Sequence, residues 1–210
     1  MTSLRRLVLV RHGETVANSG ERLIGSGDPS LSAHGRDQMH RARAALAGQV
    51  VDLVVSSPAR RAFQAATVLT GGASIRLEPD LREIHFGRWE GRSLAEIESA
   101  DPVLFEQWRA LAPDFEYPGG ELRAAFRARV QRGLDRVLAT TAMGALLVVH
   151  KGVIRTIVEK LTGELPEREH PRLGEAILVT RAHDGRWVLG GHSSNPASVP
   201  LAAPVAVARG

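Results

Sequence analysis

The sequence predicts an α/β fold built around a mostly parallel central sheet. Two short aliphatic runs, at residues 7–10 and 145–149, have the length and continuous hydrophobicity of strands that are buried on both faces. A segment with helical spacing of apolar residues follows each run in the sequence. In open α/β sheets ligands bind at the carboxyl ends of the strands, so the residues that follow these two runs are candidates for function.

Both runs end in a histidine and a glycine turn. Arg11, His12 and Gly13 follow the first run, and His150, Lys151 and Gly152 follow the second. One histidine after a strand is more typical of a structural residue than of a catalytic one. The recurrence of the same arrangement after both strands favours a site built on His12 and His150.

The elements between these strands begin with a long loop. Residues 16–33 are rich in Gly, Ser, Asn and Pro, and long loops in compact domains are usually functional. A helix of about fifteen residues is predicted to open at Ser32 and to end at Gly48. A second strand is expected over residues 51–56.

The next helix brings two arginines to the end of that second strand. We expect Ser57 as its N-cap, Pro58 in its first turn and Gly71 at its end. Arg60 and Arg61 fall in its first turn. Helix N-termini favour anions, so the sequence predicts a phosphate-binding position here. Residues 74–77 have the pattern of a short edge strand.

The middle of the chain is interpreted as a small helical insertion that covers the site. Residues 81–91 place a carboxylate, a histidine and two aromatics in a loop, and residues 92–120 form short helical pieces separated by prolines. We expect this cap to span residues 86–120 and most of its aromatic side chains to serve packing.

The last third of the chain predicts helix, strand, helix and hairpin in that order. A long amphipathic helix is expected over residues 121–141, and the helix after the late strand is expected to stop at Gly163. Residues 175–190 are typical of a hairpin that turns at Asp184-Gly185. The tail at residues 195–210 carries no helix or strand signal and is expected to be flexible.

Composition restricts the class of protein. The 210 residues suffice for a single domain spanning residues 1–210, and 43% hydrophobic residues are ordinary for a globular chain. The chain has no cysteine, no signal-like segment and no run long enough to cross a bilayer, which predicts a cytoplasmic enzyme without membrane contact.

The charge balance favours a small anionic substrate over nucleic acid. The formal charge is only +4, and lysine occurs only at positions 151 and 160. Clustered basic faces mark nucleic-acid binding, whereas the arginines of the long helix are scattered among apolar residues. Arginine makes bidentate contacts with phosphate oxygens.

With these elements placed, the sequence resembles the histidine phosphatase superfamily, also called phosphoglycerate-mutase-like, over nearly all of residues 4–192. Four motifs in order carry the resemblance. They are Arg11-His12-Gly13, Ser56-Ser57-Pro58-Ala59-Arg60-Arg61-Ala62, the run from Leu81 to Gly91 and the second histidine His150. The resemblance implies a three-layer α/β/α fold.

The resemblance also implies the roles of individual residues. His12 is the expected nucleophile and Glu83 the expected proton donor, while Arg11, Arg61 and His150 are expected around the phosphate oxygens. Asn18 is expected to add an amide contact. No cofactor and no metal are implied, the partner is a small phosphorylated metabolite, and a homodimer is common among relatives.

One position departs from the family pattern. Lys151 stands where a glycine usually follows the second histidine, and the glycine comes one residue later. We expect Lys151 near the mouth of the phosphate pocket as an additional positive charge. A surface lysine that is merely tolerated in the turn is the alternative.

Three other functions remain as alternatives, two of them enzymatic. The first is a phosphoglycerate mutase, but the return from Trp89 to Gly120 is short, whereas a mutase must exclude water with a closed cap. The second is a zinc hydrolase using His12, Glu83, His85 and His150, which the adjacent arginines disfavour. The third is a scaffold without turnover, which retention of the nucleophile, the acid and both arginines disfavours.

Overall fold

The computed structural model describes residues 3–167 and 170–192. The strands in these ranges are β1 (Arg6–Arg11), β2 (Leu53–Ser56), β3 (Arg76–Leu77), β4 (Gly144–Val149), β5 (Ala176–Arg181) and β6 (Trp187–His192). The α-helices are α1 (Ala33–Ala45), α2 (Arg60–Thr70), α3 (Leu94–Ala100), α4 (Pro102–Arg109), α5 (Arg123–Leu138) and α6 (Lys151–Thr162).

The strands form one sheet in the order β3-β2-β4-β1-β5-β6. Strands β3, β2, β4 and β1 run parallel to one another, and β5 and β6 continue the sheet in antiparallel fashion. The two strands that end in histidine, β1 and β4, are direct neighbours, with Arg11 opposite Val149. This register brings the residues after both strands to one point on the sheet edge.

Helices cover both faces of the sheet, as the continuous hydrophobicity of the central strands predicts. Leu7 and Leu9 of β1 pack into a core with residues of α5 and α6. Val8 and Val10 point to the opposite face and pack with residues of α1 and α2. The expected three-layer α/β/α fold with a mostly parallel sheet is therefore confirmed.

The segment at residues 86–120 forms a helical cap with its own aromatic cluster. Trp89 is fully buried and stacks on Phe115 at 5.5 Å between ring centroids. The edges of Trp108 and Tyr117 also approach Trp89, and its indole N–H donates to Asp101 at 2.8 Å. These aromatic side chains serve packing, as expected from the sequence.

Helix α5 holds the turn that precedes Glu83. Arg129 donates to the backbone carbonyls of Asp80, Arg82 and Glu83 and pairs with the Glu121 carboxylate, so every donor of its guanidinium is used. Arg136 pairs with Glu78 and Asp80 on the same turn. Hydrogen bonds between charged groups are worth more than neutral ones, so this contact fixes the chain that carries Glu83.

Several element boundaries differ from the sequence-based expectation by two to three residues, including the end of α1, the start of β3 and both ends of α5. Strand β2 begins at Leu53 because the Asp52 carboxylate accepts the backbone N–H groups of Met143 and Gly144. Helix α2 begins at Arg60, because Ala59 is its N-cap residue and Asp28 accepts the Arg60 N–H. The hairpin of β5 and β6 is confirmed, and the expected flexible tail at 195–210 lies outside the described residues. No helix in the described ranges is long and apolar enough to span a bilayer.

Candidate active site

His12 lies directly after β1 and is buried, with one ring nitrogen held by the backbone. Its Nδ1 is 2.7 Å from the carbonyl oxygen of Gly13. A carbonyl oxygen only accepts, so Nδ1 carries the ring proton and Nε2 presents a lone pair. The backbone thereby makes Nε2 the ring nitrogen that carries the lone pair.

Arg61 meets that lone pair from the first turn of α2. The residue is fully buried, and its Nε donates to His12 Nε2 at 3.2 Å. The remaining groups of its guanidinium donate to the carbonyls of Ile24, Gly25 and Gly27 at 3.2, 2.9 and 2.6 Å. The long loop after β1 therefore folds over Arg61 and supplies the acceptors that a buried cation requires.

Glu90 fastens this loop to the cap. Its carboxylate accepts the backbone N–H groups of Gly25, Ser26 and Phe86 at 3.1, 2.9 and 3.0 Å. A Cβ at position 25 would lie 2.1 Å from the carbonyl oxygen of Ile84. The loop can therefore approach the cap this closely only with glycine at position 25.

Arg11 is the second cation beside the histidines. One of its terminal nitrogens donates to the carbonyl of Pro171 at 3.0 Å. Its Nε is buried and makes no hydrogen bond with the residues that the structure describes. Burial lowers the pKa of Arg11 to about 10, so the guanidinium stays charged at neutral pH with a donor available for a ligand.

His150, after β4, packs edge-on against His12 with 5.1 Å between ring centroids. Its Nε2 lies 2.9 Å from Ser57 Oγ, and its buried Nδ1 has no hydrogen-bond partner within the described ranges. The expectation that Ser57 caps α2 is therefore wrong. Ala59 is the N-cap residue, and Asp28 from the long loop accepts the Arg60 N–H at 2.6 Å, which frees the Ser57 side chain for His150.

The pKa values of both histidines lie well below the ordinary range. Burial is the largest cause for each, and the positive charge of Arg61 is the next. Removing an imidazole from water disfavours its charged form, and a neighbouring cation does the same. Both rings are therefore neutral at physiological pH, as a nitrogen nucleophile requires.

Glu83 is a buried carboxyl group whose pKa is raised. Burial is the dominant cause, and the N–H groups of Gly152 and Ile84 and the charges of Arg61 and Arg11 oppose it. Gly152 N donates to Glu83 Oε2 at 3.0 Å, and a Cβ on Gly152 would lie 2.5 Å from Oε1. Gly152, which stands one position after the glycine of the family pattern, is therefore the residue that contacts the Glu83 carboxyl group.

The structure does not bring every predicted residue to this cluster. Asn18 is exposed at a positive φ of 57°, and its amide donates to Glu21 at 2.7 Å, so this turn directs it to a surface neighbour. Lys151 is the first residue of α6 and is half-buried beside the cluster. His85 is exposed, with Nδ1 accepting the Gly87 N–H at 3.2 Å.

Sequence reasoning missed Ser57 as a site residue and Glu90 as the loop anchor. Ser57 was assigned to a helix cap because Ser-Pro is a strong capping signal, and Glu90 has no signal beyond its place in the run after Glu83. Among the residues described, no group of three or more His, Asp or Glu side chains is placed to hold a metal ion.

The arrangement has the parts that phosphoryl transfer requires. A neutral imidazole with a lone pair on Nε2 lies beside two guanidinium groups, and a carboxyl group with a raised pKa lies near them. Such a site neutralises charge on a phosphoryl group and supplies a proton to a leaving oxygen.

Comparison with known proteins agrees with this chemistry. Residues 7–192 match the model of the histidine phosphatase superfamily (branch 1). A glucosyl-3-phosphoglycerate phosphatase of Mycolicibacterium vanbaalenii is 35% identical over 81% of this chain and 80% of its own length. The adenosylcobalamin/alpha-ribazole phosphatase of Escherichia coli K12 is 31% identical over 87% of each chain.

A solved structure agrees with the sequence comparison. The native structure of a mycobacterial glucosyl-3-phosphoglycerate phosphatase superposes with a TM-score of 0.72 at 30% identity, covering 89% of this chain and 97% of that one. The family model spans both histidine-bearing strands and the segment that carries Glu83. The chain belongs to the histidine phosphatase superfamily, and it is a phosphatase.

Proposed function

We propose that this phosphatase hydrolyses monoesters of small phosphorylated metabolites through a phosphohistidine on His12. The observation that carries the proposal is the bond between His12 Nδ1 and the Gly13 carbonyl, which leaves Nε2 as an unprotonated nucleophile beside Arg61. The raised pKa of Glu83 supports the presence of a general acid in the same cluster.

In the first step, His12 Nε2 attacks phosphorus and the bond from phosphorus to the ester oxygen breaks. The substrate phosphoryl group takes the place of the Arg61 to His12 hydrogen bond, so the Nε–H of Arg61 turns from the nitrogen to a phosphoryl oxygen. Arg11 and His150 provide further donors around the transferring group. Glu83 gives its proton to the leaving alkoxide, which departs as an alcohol.

In the second step, water attacks the phosphohistidine. Glu83, now a carboxylate, accepts a proton from the water as the bond from oxygen to phosphorus forms and the bond from Nε2 to phosphorus breaks. Inorganic phosphate leaves, and both His12 and Glu83 return to their starting protonation states. Each residue therefore completes a cycle without a metal or an added cofactor.

The substrate class is proposed from the relatives. The M. vanbaalenii and E. coli proteins are named for phosphorylated small molecules, a glucosylated phosphoglycerate in one case and alpha-ribazole phosphate in the other. Both are phosphatases, which agrees with the prediction of a phosphatase over a mutase. The single domain, the homodimer and the cytoplasmic location remain predictions.

Replacing His12 with alanine tests the nucleophile. We expect His12→Ala to lower kcat on p-nitrophenyl phosphate by several orders of magnitude, because loss of the central member of a catalytic unit removes most of its effect. The variant His40→Ala, at an exposed position on α1, serves as a control and should retain wild-type activity. Near-normal turnover by His12→Ala would exclude a phosphohistidine mechanism.

The raised pKa of Glu83 predicts a distinctive pH dependence. Protonated Glu83 is the acid, so the rate on alkyl phosphates should be full below its pKa and fall as the pH rises through it. We expect Glu83→Gln to lower kcat/KM, which reports the steps up to departure of the alcohol, by roughly 10²–10⁴-fold on alkyl phosphates and to abolish this alkaline decline. The loss on p-nitrophenyl phosphate should be smaller, since its leaving group needs less protonation.

The pH profiles are compared on one substrate for the wild type, Glu83→Gln and the exposed-site control Glu98→Gln. This comparison separates the titration of Glu83 from the ionisation of the phosphate ester. Equal losses of kcat/KM on alkyl and aryl esters, or an alkaline decline that persists in Glu83→Gln, would show that Glu83 is not the proton donor.

A further inference from the structure

A cavity of about 260 Å³ opens beside Glu83. Its lining includes Ser26, Arg82, Glu83, His85, Glu121 and Arg129. None of its lining residues comes from the cap at residues 86–120, and Lys151 does not line it. The charged groups of the cavity therefore come from the segments that precede and follow the cap in the sequence.

Two of the charged residues in this cavity neutralise each other. Arg129 and Glu121 form a bidentate pair at 2.7 and 2.8 Å, and the other donors of Arg129 are used by backbone carbonyls. Arg129 therefore has no donor left for a ligand. Glu83 is uncharged in the state that donates a proton, under the proposed function.

Arg82 and His85 are the remaining lining residues with basic side chains, which can donate hydrogen bonds to a ligand. The guanidinium of Arg82 is exposed and makes no hydrogen bond or ion pair with the residues described in the structure, and its charge acts on buried Arg61. His85 Nδ1 accepts the Gly87 N–H, so the neutral ring carries its proton on Nε2 and can donate it. The cavity thus offers donors and positive charge.

The position of the cavity says which part of a substrate would enter it. Glu83 donates to the ester oxygen of the leaving group, so a group attached to that oxygen extends from Glu83 into the adjoining space. The volume is slightly below the roughly 300–1,000 Å³ of pockets that hold drug-sized ligands. It suits a leaving group of a few heavy atoms.

We propose that this cavity is a leaving-group subsite for phosphomonoesters whose alcohol carries a carboxylate, with Arg82 as the residue that determines specificity. The planar guanidinium matches a carboxylate through two parallel hydrogen bonds, and His85 adds a third donor. This inference rests on the proposed function, because it assigns the leaving group of that reaction.

The test compares two substrates of equal chain length, 3-phosphoglycerate and glycerol 3-phosphate, which differ at the carboxylate. The wild type should favour 3-phosphoglycerate by tenfold or more in kcat/KM, and Arg82→Gln should remove this preference. Arg41→Gln, on the exposed face of α1, is the matched control and should keep it. The readout is the ratio of the two kcat/KM values, so a general loss of activity in Arg82→Gln does not count as a loss of preference, and Arg41→Gln should keep wild-type activity on p-nitrophenyl phosphate.

The outcomes separate the two claims. A wild type that does not discriminate between the esters, that turns over only p-nitrophenyl phosphate, or whose preference survives in Arg82→Gln contradicts the subsite while leaving phosphatase chemistry intact. Failure of the wild type on all three esters would contradict the proposed function itself.

A separate observation concerns Ser57, which is fully buried against His150. Its Oγ accepts the Ala59 N–H at 3.3 Å and lies 2.9 Å from His150 Nε2. A hydroxyl has one hydrogen to donate, and no other acceptor for it appears among the described residues. The arrangement is satisfied when Ser57 donates to an unprotonated Nε2, which places the proton of neutral His150 on Nδ1.

The proton on His150 Nδ1 can form a hydrogen bond with a phosphoryl group on His12. Nδ1 of His150 is buried without a partner in the described structure, and its ring packs against His12. A buried N–H without a partner is costly, and a phosphoryl oxygen on His12 would satisfy it. The opposite tautomer would present a lone pair to an anion, which repels it.

We propose that Ser57 is a positioning residue that holds His150 as the Nδ1–H tautomer. Ser56→Ala is the matched control, because Ser56 is equally buried and its hydroxyl donates to the Ser57 carbonyl at 2.8 Å without contact to the imidazole. We expect Ser57→Ala to lower kcat/KM about 10–100-fold, the loss typical of a residue that orients another group.

Nitrogen-15 NMR of the His150 ring measures the tautomer directly, in the wild type as well as in the variants. The wild type and Ser56→Ala should show protonated Nδ1, and Ser57→Ala should shift the proton toward Nε2. Protonated Nε2 in the wild type, or a Ser57→Ala enzyme with unchanged tautomer, contradicts the proposal.

Discussion

The burial of the Arg61 guanidinium is the constraint on which the rest of the site depends. A charged group that is fully removed from water must have its donors satisfied, and this chain supplies three loop carbonyls and one imidazole nitrogen. Each hydrogen bond to a charged group contributes about 1.5–3 kcal/mol. The need to satisfy Arg61 therefore folds the loop after β1 over α2, and Glu90 fixes the same loop to the cap.

The same burial sets the protonation states that the chemistry needs. Positive charge and exclusion of water keep His12 and His150 neutral, while exclusion of water raises the pKa of Glu83 despite the nearby cations. Both shifts favour the neutral forms that the proposed nucleophile and the proposed acid require, a pairing that depends on different environments for the two groups. Backbone groups complete the arrangement, since Gly13 orients His12 and Gly152 orients Glu83.

The features that could be predicted from the sequence are those that depend on hydrophobic periodicity and on the residues at strand ends. The order of the elements, the parallel sheet and the convergence of His12 and His150 follow from two apolar runs that each end in histidine. The family resemblance implied Glu83 as the proton donor, but whether burial or the charges of Arg61 and Arg11 decide its pKa depends on distances that only the fold defines. Ser57 was misassigned because a capping signal and a contact with His150 use the same side chain. The contacts of Asn18 and the cavity at Arg82 arise from loop conformations that carry no periodic signal.

The central claim is that His12 Nε2 forms the bond to phosphorus because the Gly13 carbonyl occupies Nδ1. The most direct measurement is the position of the phosphate on the ring in enzyme quenched during turnover, determined by phosphorus and nitrogen NMR on the phosphorylated peptide. The account predicts phosphate on Nε2 of His12 that is labile to acid and stable to base. Phosphate on Nδ1 of His12, or on His150, or no phosphoenzyme in a rapid quench, would contradict it.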